Sequence, residues 1–112
     1  MRVVRQDKAP SDEAVRLQHL IAPWTVGSES IWLGIATLKS GASTTPKAFS
    51  DLEGVHFTLA GHGKEIVDGE EVNTEPGTCV MIPRGARHQV INVGSDPLVL
   101  ISITSPPLSP PS

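Results

Sequence analysis

Residues 77–92 read GTCVMIPRGARHQVIN. Pro83 and Gly85 are turn formers, so Pro83-Arg84-Gly85 reverses the chain between two short β-branched runs, Thr78 to Ile82 and His88 to Val93. Two runs joined by so tight a turn are antiparallel. His88, Val90 and Asn92 then share parity and project from one face of the second strand.

The same grammar extends in both directions. Upstream, Asp68-Gly69 between Glu65-Ile66-Val67 and Glu71-Val72 predicts a hairpin with a two-residue type I′ turn. Val55 to Leu59, ended by Gly61-His62-Gly63, reads as a strand, as does the apolar run Ile31 to Leu38. Val15 to His19 alternates at strand period, although Ser11-Asp12-Glu13 also has the form of a helix cap. Downstream, Gly94-Ser95-Asp96-Pro97 leads into a last strand, Leu98 to Thr104. The expected fold class is all-β, a barrel or sandwich of about eight to ten short strands over residues 15–104. Residues 1–14 form a polar arm, and 105–112, SPPLSPPS, a proline-rich tail expected to stand outside the fold.

Composition agrees. Ten Gly and ten Pro among 112 residues would break a helical bundle but suit tight turns. A net charge of −3 leaves no basic footprint for nucleic acid. No apolar run reaches the roughly 20 residues of a membrane span, and the N-terminus lacks the apolar stretch of a secretory signal. The lone Cys79 permits no intrachain disulfide and reads as a small buried hydrophobe in a cytoplasmic protein.

The spacing Gly77, Pro83, Gly85, His88, Asn92 resembles the second signature of the cupin superfamily at each of its five fixed positions. The first signature survives only as a framework, with Gly41 and Gly61 at its ends. Lys47 and Phe49 stand on its two histidine positions and Gly54 on its glutamate position. The resemblance implies a jelly-roll barrel with a ligand pocket inside it, and association as a homodimer through edge strands. It leaves only His88 of the four usual metal ligands. An ammonium has no lone pair to offer, and Phe and Gly side chains offer no donor at all. No cofactor is therefore expected. The minor alternative is a divalent metal held by His56 and His88 with Glu53, or with Asp51 from the preceding loop.

The resemblance places a small organic ligand, of a kind that includes anions, in the barrel. His88 and His56 are the acid–base candidates because their side chains titrate nearest neutral pH. Lys47 is placed to pair with a carboxylate or enolate oxygen, and Phe49, Thr58, Met81 and Val90 to form an apolar wall with one hydroxyl. Each has a purely structural reading: His88 and His56 as core histidines bonded to backbone, Lys47 as a solvated cation at the barrel mouth. Three functions stay open: a metal-independent isomerase, lyase or cyclase led by His88; a non-catalytic binding or sensing module; and an atypical metalloenzyme.

Overall fold

The computed structural model describes residues 1–48 and 51–110. Among them are nine strands: β1 (Val15–Ile21), β2 (Trp32–Leu38), β3 (Lys47–Ala48), β4 (Glu53–Ala60), β5 (Gly63–Val67), β6 (Glu70–Thr74), β7 (Cys79–Ile82), β8 (Arg87–Asn92) and β9 (Leu98–Ser105). A single helical turn, α1 (Pro23–Val26), follows β1. Its entry is fixed by Pro23 at the first turn and its exit by Gly27 in the left-handed region. The strands form two antiparallel sheets, one ordered β1-β2-β9-β4-β7 and the other β3-β8-β5-β6.

The expected turns are present. Asp68 and Gly69 both have positive φ, 48° and 83°, as a type I′ turn requires. The Asp68 carboxylate accepts from the Arg87 amide at 2.8 Å, fastening this turn to the start of β8.

Strand parity sorts the side chains. In the five-stranded sheet, Trp32, Gly34, Ala36 and Leu38 of β2 face inward, opposite Leu98, Leu100, Ser102 and Thr104 of β9. The four-stranded sheet answers with Val90 and Asn92 of β8. Leu38, Leu98, Leu100, Ala36 and Val90 form one apolar cluster, and Ile82 with Ala86 forms a second. Burying each large apolar side chain contributes about 1.5–3 kcal/mol. Trp32 is wholly buried, its indole folded over Gly34, where a Cβ would come within 2.5 Å of the ring. Its Nε1 donates to His19 Nδ1 at 3.0 Å. His19 therefore turns inward from β1 and is no surface histidine.

Two expectations are corrected. Cys79 is exposed, because it shares the outward parity of Met81 on β7. The proline-rich tail has a part in the fold, since Leu108 packs against the Ile82–Ala86 cluster beside Leu52 and Val67.

Asn92, the last fixed residue of the opening stretch, is a clamp. It is 1% exposed. Its Nδ2 donates to the carbonyls of Leu38 and Asp96, both at 2.9 Å, and its Oδ1 accepts from the Gly94 amide. Replacing it by Ala strands these three backbone groups. Asn92→Ala should cost about 2–4 kcal/mol, the buried Leu38 carbonyl accounting for the largest share and the part-buried Asp96 and Gly94 groups for about 1 kcal/mol each or less. Thermal unfolding should show a fall in Tm of about 10 °C or more; a shift under about 3 °C would show that the clamp is dispensable.

Candidate active site

Between the two apolar clusters the interior turns polar. On β4, Gly54, His56 and Thr58 point inward, because the outward positions are taken by Val55, Phe57 and Leu59. His56 lies directly across from Ser102 of β9. On the facing sheet, the inward parity of β8 carries His88, and β5 and β3 flank it so that Val67 and Lys47 sit on either side. One inward position along, Val90 is opposite Glu65 of β5.

Glu65 is the residue that the sequence reading missed. Its carboxylate is 1% exposed, and Oε1 bonds His56 Nδ1 across the barrel. A carboxylate only accepts, so Nδ1 carries the proton and Nε2 is the nitrogen left to deal with a ligand. The His56 and His88 rings meet edge to face, with centroids 5.9 Å apart and planes at 70°.

The cavity beside these groups has a volume of about 360 Å³, at the small end of the range for small-molecule sites. His56, His88, Lys47 and Ser102 form its polar side. Val15, Leu17, Trp32, Ala36, Leu38, Val90, Leu100 and Leu108 form its apolar wall. Ser43, Thr44 and Thr45 complete it. Leu17, Ser43, Thr45 and Lys47 are exposed, so the opening lies on their side.

The expected site residues divide accordingly. His56, His88, Lys47 and Val90 are brought together at the cavity. Lys47 stands at its mouth. Thr58 is buried but lies outside the lining, one inward position further along β4. Met81 is 51% exposed on the outer face of β7, so it is no part of the apolar wall. Phe49 falls outside the described residues. Trp32, Leu100 and Leu108 supply the wall instead, and none of the three was singled out from sequence as a ligand contact.

The donor set does not fit a metal ion. Glu53 is exposed on the parity opposite to His56, and Asp51 is exposed as well, so neither joins the two histidines. His56 Nδ1 is engaged by Glu65. Among the described residues no group of three or more His, Cys, Asp or Glu is placed to share a metal. The arrangement His56, His88 and Glu53 is therefore corrected: its third member faces solvent.

The comparisons with known proteins agree with this architecture. Residues 34–104 match the profile of the Cupin domain family, Cupin_2. The chain belongs to the cupin family. This cupin is 31% identical over 87 residues to the tetracenomycin polyketide synthase protein TcmJ of Streptomyces glaucescens, covering 78% of the chain and 58% of TcmJ. It is 28% identical over 96 residues to polyketide synthase CurC of Streptomyces cyaneus, covering 86% and 62%. The cupin thus spans about three-fifths of the length of these curated relatives. The crystal structure of TT1209 from Thermus thermophilus superposes with a TM-score of 0.78 at 23% identity, covering 88% of this chain and 89% of that one. At that identity the likeness is one of fold. No helix among the described residues is long and apolar enough to cross a membrane.

Burial pushes the His88 imidazole below the ordinary histidine value of 6.5, and the nearby charges of His56 and Lys47 push the same way. A backbone hydrogen bond at Ala86 and the Glu65 charge pull against them without reversing the direction. His88 is thus held in its neutral form in the fold. Once the pH falls below 6.5 the unfolded chain binds the proton more readily, so folding stability must decline from there toward the depressed folded value. Thermal melts at about pH 7.5 and about pH 5.5 should show wild type losing more Tm on acidification than His88→Gln. His19, also lowered by burial, accounts for part of the decline that the variant keeps. Equal losses in the two proteins would remove His88 from the acid response.

Proposed function

We propose that the barrel binds a compact, largely apolar molecule bearing a carbonyl or acidic oxygen, and moves a proton on it without a metal. The observation that carries this reading is the buried His56–Glu65 pair beside the cavity. A carboxylate bonded to Nδ1 fixes the tautomer and stabilises the imidazolium that forms when Nε2 takes a proton. His88, neutral and edge-on to His56, donates an N–H hydrogen bond to the carbonyl oxygen as it becomes an enolate, while His56 Nε2 holds the proton taken from the adjacent carbon and returns it to carbon or to that oxygen. Lys47 at the mouth supplies the positive charge that draws an enolate or carboxylate oxygen. The two relatives named as polyketide synthase proteins support a carbonyl-bearing substrate. Isomerisation, elimination and ring closure all begin with this proton transfer.

The test works on model compounds, with the natural substrate still unidentified. A panel of aromatic and alicyclic ketones and β-diketones in deuterated water is followed by NMR for exchange at the carbon next to the carbonyl. Catalysed exchange should fall about 10²-fold or more in His56→Ala and in His88→Ala. Glu65→Gln should keep ligand binding while lowering exchange. Compounds that bind tightly with no acceleration would replace this reading with a non-catalytic binding module.

We also propose that the outer face of the five-stranded sheet docks a second copy of this chain. Two cross-strand rows, Leu33–Ile103–Val55–Met81 and Ile35–Ile101–Phe57–Cys79, run across four strands to the free edge of β7 and contain no charged residue. Phe57, Met81 and Ile103 on this face are exposed large hydrophobics, while Ile35 at its inner end is buried, so the apolar surface open to a partner is concentrated toward β4 and β7. Sedimentation equilibrium should give twice the chain mass for wild type and the single mass for Phe57→Lys; a monomeric wild type would rule the interface out.

A further inference from the structure

The barrel does not build its cavity alone. Leu108 lies three residues beyond the end of β9, yet it lines the same cavity as His56, His88 and Lys47. On its other side it packs against the Ile82–Ala86 cluster. It is the only apolar side chain other than proline in the sequence SPPLSPPS. The flanking prolines have fixed φ and no amide donor, so this stretch cannot add to a sheet and loses little chain entropy on being held in place. Its base is tied down by Ser105, whose Oγ donates to the Ser30 carbonyl at 2.8 Å. A stiff segment anchored at its root and carrying one apolar side chain inward is a wall.

We propose that Leu108 is a specificity-determining residue, and that the segment from Pro106 to Pro110 is the adjustable wall of the ligand cavity. The remaining apolar wall residues, Val90 and Leu100 among them, sit on strands whose spacing is fixed by backbone hydrogen bonds. Among the described residues Leu108 is the one apolar lining residue that hangs on a segment outside the two sheets, so changing its bulk breaks no strand hydrogen bond. A smaller side chain at this position enlarges the cavity and its access, and a larger one restricts both. The inference takes from the proposed function only that this cavity is the ligand site.

Trp32 reports on it directly. It is fully buried and forms part of the cavity wall, whereas the other tryptophan, Trp24, is 39% exposed. In a Trp24→Phe background, acrylamide quenching of the remaining fluorescence measures passage of a small neutral molecule to the cavity. Leu108→Ala, and a chain ending at Ser105, should raise the quenching constant about threefold or more, because the space left by the lost side chain opens toward solvent. Leu108→Phe should lower it. Quenching unchanged in both shortened variants, with the parent's cooperative melting, would overturn the proposal. Should those two fail to fold, Leu108→Phe decides alone, since unaltered quenching there would also overturn it. A size series of aryl carboxylates, from one ring to three, separates this inference from the one beneath it. Altered quenching with no carboxylate bound leaves the wall in place and removes the ligand reading. Binding whose size limit does not move in any Leu108 variant removes Leu108 from specificity.

Discussion

A carboxylate that water cannot reach is the constraint around which this barrel is arranged. Glu65 stands in the middle of β5 with apolar neighbours in the sheet on both sides, Val90 and Val72. An ionised group there is costly unless it is paired and hydrogen-bonded. Its partner comes from the other sheet. His56 reaches it only because β4 and β5 face one another across the interior at the right depth, so the pair ties the two sheets together. The apolar clusters above and below exclude the water that would weaken the pair. In the proposed reading, stability and chemistry draw on the same contact, and the fold cannot relax at this point without disturbing the pair.

The division of the interior into two clusters follows from the same arrangement. Leu38, Leu98 and Leu100 fill one end, Ile82, Ala86 and Leu108 the other. His56, His88 and Ser102 occupy the band between them, beside an open cavity. A continuous apolar core would be more stable and would have no room for a ligand. Lys47, placed at the mouth, keeps its ammonium in water while its stem extends along the opening.

Much of the fold was legible in the sequence because turns carry local chemistry. Asp68-Gly69 and Pro83-Arg84-Gly85 specify their conformations without reference to distant residues, and the strands between them inherit direction and parity. That His88, Val90 and Asn92 share one face followed from parity; that this face is the inner one, and that His56 joins it, came with the cupin resemblance. Glu65 was hidden for a physical reason. Its strand, Gly63–Val67, reads GKEIV, with a charged and an apolar side chain on each parity, so no hydrophobic alternation marks the buried face. Pairing with β8 decides the matter, and pairing is a long-range fact. The same holds for Met81. In a strand apolar at every position, CVMI, sequence offers no reason to send it outward, while the register with Val55 does so. Glu53 failed as a ligand because one residue of offset along a strand is half a turn of direction. Leu108 was overlooked because a proline-rich end looks like a tail, and contact with the core depends on where β9 happens to stop.

The strand order has a consequence for how this molecule comes into being. β9 follows the other eight described strands in sequence, yet it lies at the centre of the five-stranded sheet, between β2 and β4. Until Leu98–Ser105 has left the ribosome, β2 and β4 have no common neighbour, and His56 lacks Ser102 beside it. Asn92 closes a similar span, bonding a carbonyl 54 residues earlier. A sheet whose middle arrives last must close over long stretches of chain, which places folding among the slower, non-local class. His56 and His88 both precede β9 in the chain, so the chamber around them closes only when this strand is added between β2 and β4.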